Sequence, residues 1–175
     1  IGLVMDSDAK TTLAFVDNDE TGDRSFSFYR KPGADMMLRE DEVNYELIDN
    51  CRIFHFGSLS MTDEPVRSAT YAMIDYAKKK NKIISFDPNL RPPLWESEDL
   101  AAKQIWYGIE QCDILKIADN EIEWLTGTDD YDKGIEIIRE RTHAKLINVT
   151  LGPNGSIAYY GNHKVFMEPY LNKDT

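Results

Sequence analysis

The sequence predicts an α/β protein built on a parallel β-sheet, and two observations support that prediction. From Cys51 onward, short apolar segments typical of strands alternate with longer segments whose apolar residues follow helical spacing. Glycine or proline closes several of the strand-like segments, as at Gly57, Pro88 and Gly152. Such alternation is typical of strands that pair in parallel, with helices on both faces of the sheet.

The part of the sequence before this alternation predicts a small β segment. Residues 12–16 and 24–29 have strand-like composition, and the polar residues 17–23 between them have turn chemistry. Side chains alternate along a strand, so Phe26, Phe28 and Arg30 share one of its sides. We therefore expect one domain, with a β segment over about residues 11–35 and an α/β core over about residues 50–175.

Helix boundaries in the core are indicated by residues suited to helix ends. Pro65 is tolerated at a helix start, Ser97 is a suitable N-cap, and Gly127 is suited to end a helix in the left-handed conformation. The predicted strands cover residues 52–56, 82–87, 114–118 and 145–150, followed by a hairpin over 156–160 and 164–168. The predicted helices cover residues 66–77, 101–112, 119–126 and 132–141.

The composition excludes several classes of protein. The chain has 175 residues, with 20 Lys and Arg against 31 Asp and Glu, which gives a net charge of −11. This balance argues against a nucleic-acid partner, and no apolar run approaches the roughly 20 residues of a membrane span. The two cysteines, Cys51 and Cys112, lack metal or redox spacing, so we expect buried reduced thiols in a cytoplasmic protein.

A polar trio follows the strand predicted over residues 82–87. Pro88 ends that strand, because proline fixes φ and has no N–H to donate, and Asp87, Asn89 and Arg91 alternate around the stop. Ligands of open α/β sheets bind at the carboxyl ends of strands. A carboxylate, a carboxamide and a guanidinium there can hold a polyhydroxylated substrate. A solvated loop with a helix cap would have the same spacing.

Four segments in fixed order resemble the ribokinase (PfkB) family of carbohydrate kinases, most closely its bacterial fructokinases. They are FSFYRKPGAD, SFDPNLRPPLW, ADNEIEWLTG and VTLGPNG. The resemblance implies a ribokinase-like three-layer α/β/α fold with a small β-lid. It also implies ATP-dependent, Mg²⁺-requiring transfer of the γ-phosphoryl group to a sugar hydroxyl, with D-fructose as the expected substrate.

The resemblance also implies which residues bind the sugar. In the family the aromatic strand belongs to a lid over the sugar, which implies substrate contacts for Phe28 and Arg30. Asn89 and Arg91 align with residues at the sugar and the nearby phosphate, and Asp87 is expected to orient them. The plainer interpretations are a surface arginine on an edge strand and a core phenylalanine.

Nucleotide and metal contacts are implied by the other two segments. Glu121 matches the glutamate that holds Mg²⁺ through water, although a first-turn acid favoured by the helix dipole is the simpler interpretation. Ala118 stands where the ribokinase-type pattern has asparagine, which weakens the case for a direct phosphate contact there. Lys116 is expected to add positive potential, and Thr150 and Gly152 match residues that contact the nucleotide.

Two family motifs are not in this sequence. One is the upstream Gly-Gly segment, and the other is the Gly-Ala-Gly-Asp turn, which forms the anion hole and supplies the catalytic base. We therefore expect the sequence to be the middle of a longer kinase. Asp174 and Thr175 then lie at the edge of the stretch where the family also binds a monovalent cation such as K⁺. Family lids often pair, so a homodimer is expected too.

Three other functions are compatible with the sequence. A 2-keto-3-deoxygluconate kinase shares the aromatic-x-Arg lid and the D-x-N-x-R motif. A non-catalytic sugar-binding or regulatory protein could keep the same fold, and a nucleoside kinase is a further alternative.

Overall fold

The computed structural model describes residues 2–18 and 24–170, in which the strands form two separate sheets. The strands are β1 (Leu13–Asn18), β2 (Arg24–Tyr29), β3 (Ile53–Gly57), β4 (Ile83–Asp87), β5 (Ile114–Ala118), β6 (Leu146–Thr150), β7 (Ser156–Tyr160) and β8 (His163–Met167). The helices are α1 (Tyr45–Asp49), α2 (Val66–Lys79), α3 (Glu98–Gln111), α4 (Asp119–Thr126) and α5 (Tyr131–Arg139).

The smaller sheet is the antiparallel pair β1–β2. Val16 lies opposite Phe26, and Ala14 lies opposite Phe28. Both strands were predicted from composition, whereas part of the predicted turn between them lies outside the described residues. Phe26 and Phe28 share one side of β2, with ring centroids 6.1 Å apart. The sheet therefore presents an aromatic side that is available to cover a site.

The larger sheet has six strands in the order β3-β4-β5-β6-β7-β8. Strands β3 to β6 are parallel, as predicted, and β7 and β8 add an antiparallel hairpin. The sheet is therefore mixed rather than fully parallel. Two-residue turns such as the one between β7 and β8 can join only antiparallel neighbours, whereas parallel neighbours need a crossover.

The crossover helices pack on one face of this sheet. The order of β3 to β6 in the sheet is the same as their order in the chain. Right-handed crossovers between such strands all lie on the same side of the sheet. On that side the sheet residues are buried, including Phe86 and Ile117. Helix α3 approaches closely through Gly108, where an added Cβ would lie 2.4 Å from the Phe86 ring. Of the three expected layers, the described residues supply the sheet and this helical layer.

The helix ends follow the capping chemistry predicted from the sequence. Ser97 Oγ accepts a hydrogen bond from the Leu100 amide at the start of α3. Gly127 ends α4 with φ of 73°, in the left-handed region that favours glycine. The short helix α1 was not predicted. None of the helices in the described residues has the length and apolar character that a membrane span requires.

Candidate functional site

Most of the predicted site residues gather at one edge of the larger sheet. Gly57 pairs with Asp87 at the carboxyl ends of β3 and β4, and Ala118 pairs with Thr150 at the ends of β5 and β6. Because the strands are parallel, the carboxyl ends of β3 to β6 lie side by side along one edge of the sheet, and the polar groups at these ends are neighbours. The loop after β4 and the turn after β6 extend from this edge.

An ion pair joins β4 to β5 at the edge. Lys116 Nζ lies 3.1 Å from Asp87 Oδ1, and both side chains are partly buried. The expected role of Asp87 in orienting Asn89 and Arg91 stays a prediction, and its side-chain partner in the described residues is Lys116. The reason is register: Asp87 and Lys116 follow directly from the pairing of Phe86 with Leu115, so they lie side by side. Lys116 lies at this edge of the sheet, where its ammonium group forms an ion pair with the Asp87 carboxylate.

Residues 89–91 form a tight loop directly after β4. Asn89 has φ of 46°, in the left-handed region, and its side chain is exposed. Arg91 Nη1 donates to the Leu90 carbonyl at 2.9 Å. The Arg91 guanidinium also lies over the Phe26 ring, with Cζ 5.1 Å from the centroid. Arg91 therefore bridges the edge of the larger sheet and the smaller sheet.

This bridge was not predicted, because Phe26 had no assigned role. Its only sequence signal is that it shares a side of β2 with Phe28. The Nε and Nη2 atoms of Arg91 have no hydrogen-bond partner in the part of the chain that the structure describes. Arg91 thus holds a fixed position with donors to spare, which suits an anionic or hydroxylated ligand.

Glu121 joins the start of α4 to the loop after β4. Its side chain is buried, with 7% of its surface exposed. Oε2 accepts from the Ala118 amide at 2.8 Å, and Oε1 accepts from the Leu90 amide at 2.6 Å. Within the described residues, no group of three or more His, Cys, Asp or Glu side chains is arranged to hold a metal ion.

This donor set is compatible with Mg²⁺ that is bound mainly by phosphates. Such an ion keeps several waters and needs only one or two protein carboxylates. Each Glu121 oxygen accepts one backbone N–H and retains capacity for a water. The metal role of Glu121 stays a prediction.

Thr150 and Gly152 lie at the same edge, in the turn after β6. Thr150 is partly buried, whereas Gly152 is exposed and has φ of 53°. The Leu151 amide donates to the Gly155 carbonyl at 2.9 Å, which closes the turn. Gly152 lacks a Cβ and has nothing within 4 Å of where one would be, so a ligand can approach its backbone. Their nucleotide contacts stay a prediction.

A cavity of about 470 Å³ lies between the smaller sheet and the segments that follow β3 and β4. Its volume falls within the range typical of small-molecule sites. Phe28, a predicted substrate contact, lies in its wall. Arg30, directly after β2, is the other predicted substrate contact in the lining. The lining residues are Phe26, Ser27, Phe28, Tyr29, Arg30, Lys31, Met36, Asp63, Pro93 and Leu94.

Arg30 is engaged in protein contacts, and its predicted substrate contact stays a prediction. The residue is 6% exposed. Its Nε donates to Asp35 Oδ2 at 2.7 Å, its Nη1 to Thr62 Oγ1 at 2.9 Å, and its Nη2 to the Leu59 carbonyl at 2.8 Å. All three nitrogens are therefore engaged. Arg30 fastens the end of β2 to the segment after β3, and in doing so fixes one wall of the cavity.

Asp35 is the charged partner of Arg30 in this connection. Burial opposes its ionisation, but hydrogen bonds from Thr12 and Arg30 outweigh that effect, and the pKa of Asp35 falls below its usual value of 3.8. A carboxyl group with a lowered folded-state pKa stabilises the fold above its ordinary pKa. That contribution is lost as the pH falls through the folded-state pKa.

We therefore expect the Asp35→Asn variant to be less stable than the parent at pH 7, by an amount that shrinks below pH 3.8. The effect stays within about 1 kcal/mol, because the Asp35 side chain is half exposed. Urea unfolding of both proteins between pH 7 and pH 3 measures the difference. A difference in unfolding free energy that does not change with pH would contradict this account.

Comparison with known proteins places the chain among carbohydrate kinases. Residues 2–174 match the family model described as pfkB family carbohydrate kinase. A protein named "Probable fructokinase-2" from Arabidopsis thaliana is 45% identical over 158 residues, which is 90% of this chain and 48% of that protein. Fructokinase-1 from Zea mays is 44% identical and is matched over 90% of this chain and 49% of its own length. The chain thus spans about half the length of these relatives.

Solved structures agree in fold. A fructokinase from Xylella fastidiosa superposes with a TM-score of 0.83 at 32% identity, over 95% of this chain and 52% of that chain. A fructokinase from Vibrio cholerae O395, solved in its fructose, ADP and calcium ion bound form, gives a TM-score of 0.85 at 29% identity, over 96% of this chain and 54% of that chain. The predicted ribokinase-like α/β fold is confirmed.

Proposed function

Because the chain belongs to the pfkB family of carbohydrate kinases, we propose that it acts in ATP-dependent transfer of the γ-phosphoryl group to a hydroxyl of D-fructose. The observation that supports this most directly is Arg91, which lies between the aromatic side of β2 and the carboxyl ends of the parallel strands. A sugar in the cavity and phosphates along the sheet edge would meet at this residue.

The cavity has the chemistry that a sugar needs. Phe26 and Phe28 line the cavity and offer apolar ring surface. Outside this lining, the loop after β4 offers the Asn89 carboxamide and the Arg91 guanidinium, which lies over the Phe26 ring. Closing the smaller sheet over the sugar excludes water and holds one hydroxyl in line with the γ-phosphorus. The hydroxyl oxygen then bonds to phosphorus as the bond to the ADP oxygen breaks, and the hydroxyl proton passes to a base.

Nucleotide and metal binding are proposed for the adjacent part of the edge. Solved fructokinases from Vibrio cholerae O395 carry ADP with calcium or potassium ions, which supports a nucleotide and metal ions for this protein as well. We assign the nucleotide to Thr150, Gly152 and Lys116, with K⁺ as a further ion. Mg²⁺, held through water by Glu121, would neutralise charge on the phosphates.

A 2-keto-3-deoxygluconate kinase is the second candidate, and one observation favours it. An acid sugar needs an extra cation, and Lys31 lines the cavity next to β2. Asp63 lines the same cavity and opposes a carboxylate there. The neutral sugar is therefore the better fit.

A substrate panel tests the choice. The protein produced from its complete reading frame is assayed with MgATP and D-fructose, D-ribose, 2-keto-3-deoxygluconate or adenosine. We expect kcat/KM to be highest for fructose. A higher kcat/KM for the acid sugar, with a loss in a Lys31→Ala variant, would favour the second candidate. ATP binding without turnover of any substrate would favour a non-catalytic binding protein.

Assembly and location complete the proposal. Leu13, Phe15 and Tyr29 lie on the side of β1–β2 away from Phe26 and Phe28, and all three are exposed. An exposed apolar face of this kind supports a homodimer formed through the smaller sheet.

Both cysteines are free, and burial raises the pKa of the Cys112 thiol to about 12, which fits a reducing compartment such as the cytoplasm.

A further inference from the structure

Glu121 makes a contact that capping its own helix does not require. Ala118 is the N-cap of α4 and Glu121 is the third residue of the helix. A glutamate at this position commonly reaches back to the N-cap amide, and Oε2 does so at 2.8 Å. The other oxygen, Oε1, accepts instead from Leu90, 31 residues earlier in the chain, at 2.6 Å.

The Leu90 amide lies between the two loop residues that the proposed function needs. Asn89 precedes it in the left-handed region, at φ of 46°, which asparagine adopts more readily than most residues but less readily than glycine. Arg91 follows it and donates to the Leu90 carbonyl. A restraint from outside would hold this loop in one conformation, and in the described residues the Glu121 carboxylate contacts its middle residue, Leu90.

The burial of Glu121 makes this restraint strong. Hydrogen bonds from backbone N–H groups to a carboxylate are about twice as strong as neutral ones, and a low local dielectric strengthens them further. With 7% of its surface exposed, Glu121 has little competition from water. Removing Oε1 would leave the Leu90 amide without its acceptor.

We propose that Glu121 is a positioning residue, which sets the Asn89–Arg91 loop through the Leu90 amide and thereby controls sugar affinity and turnover. This inference rests on the proposed kinase function. It differs from the metal role of Glu121, because its effect travels through the loop. Mg²⁺ dependence and sugar dependence therefore separate the two roles.

Two variants and a control test the proposal in the protein produced from its complete reading frame. Glu121→Gln keeps the shape but can satisfy only one of the two amides. Glu121→Asp keeps the charge but is too short to reach both. The control is Glu42→Gln, because Glu42 Oε2 accepts from the Arg39 amide at 2.9 Å in a similar cap that lies outside the proposed site.

The readouts are amide hydrogen exchange at Leu90, D-fructose affinity by calorimetry, kcat and KM for fructose, and the Mg²⁺ concentration for half-maximal rate. In both Glu121 variants we expect exchange at Leu90 to rise, fructose Kd and KM to rise and kcat to fall, each about tenfold, as loss of one charge-assisted hydrogen bond implies. A change in the Mg²⁺ requirement would report the water-mediated metal contact of Glu121, so the positioning role is read from exchange at Leu90 and from fructose Kd measured without Mg²⁺ or nucleotide. The control should match the parent in every readout.

Two results would overturn the positioning role. One is unchanged fructose affinity in both Glu121 variants despite faster exchange at Leu90. The other is a large shift in the Mg²⁺ requirement with unchanged exchange at Leu90. Failure of the proposed function looks different, since the parent protein would then turn over no sugar at all.

Discussion

Replacing Arg91 with alanine is expected to lower kcat/KM for the sugar by about 10²–10³-fold, the usual cost of removing one preorganised donor at a reacting centre. Arg91 is held by the Leu90 carbonyl and by the Phe26 ring, so its free donors already point in a fixed direction. A preorganised charge loses little entropy on binding, and its removal therefore costs more than loss of a mobile surface arginine. Steady-state kinetics with D-fructose and MgATP measures the effect.

Arg141→Ala is the matched control for this variant. Arg141 also stacks on an aromatic ring, with Cζ 3.9 Å from the Trp106 centroid, and it pairs with Glu110 outside the proposed site. We expect kcat/KM of the control to stay within about twofold of the parent, because exposed ion pairs contribute little. A similar loss of activity in both variants would remove Arg91 from the site.

Replacing Arg30 with methionine is expected to destabilise the protein by about 3 kcal/mol, the low end of the range for breaking a buried ion pair. The change removes three donor nitrogens at once. The Leu59 carbonyl and the Thr62 hydroxyl each lose the hydrogen bond that Arg30 donates to them. Asp35 is half exposed and regains water, which limits the loss. Urea unfolding followed by circular dichroism measures the difference in free energy.

Arg39→Met is the matched control for stability. Arg39 also pairs with carboxylates, at Asp41 and Glu42, but its side chain is 58% exposed. We expect a loss below about 1 kcal/mol for this exposed pair. If Arg30 instead served mainly as a substrate contact, Arg30→Met would raise the KM for sugar while leaving the unfolding free energy close to that of the control.

The strands and longer helices were predictable because their signals are local. β5 (Ile114–Ala118) was predicted with both ends correct, since a mostly apolar segment, interrupted only by Lys116, lies between Asp113 and Asp119. Ser97 and Gly127 marked helix ends through their own chemistry. The five-residue helix α1 also has a capping residue, Asn44, but it is too short to show helical periodicity in the sequence. Part of its stability comes from packing against α2, where the rings of Tyr45 and Tyr76 lie 4.6 Å apart.

The site was predictable as a set of positions but not as a set of contacts. Asp87, Asn89 and Arg91 were placed at the sheet edge because strands end there. The partners that decide their roles lie far away in sequence: Lys116 for Asp87, and Phe26 for Arg91. Such pairings depend on strand register and on how the two sheets meet, and no local pattern in the sequence encodes them.

The same limit explains why the protein contacts of Arg30 were not predicted. Its position at the end of an aromatic strand indicates a lid, and the lid resemblance implies a substrate contact. The Thr62 and Leu59 oxygens that bind it are 32 and 29 residues away in sequence. Only the fold brings them to the end of β2. A buried guanidinium with three nitrogens engaged then has little capacity left for a ligand.

ADP release by the protein from its complete reading frame, with MgATP and D-fructose, tests the central proposal most directly. The account predicts rapid turnover that depends on fructose and falls by about 10²–10³-fold in Arg91→Ala. Normal ATP binding with no ADP release for fructose or any other sugar would contradict it. In that case the chain would keep the fold of a carbohydrate kinase without its chemistry.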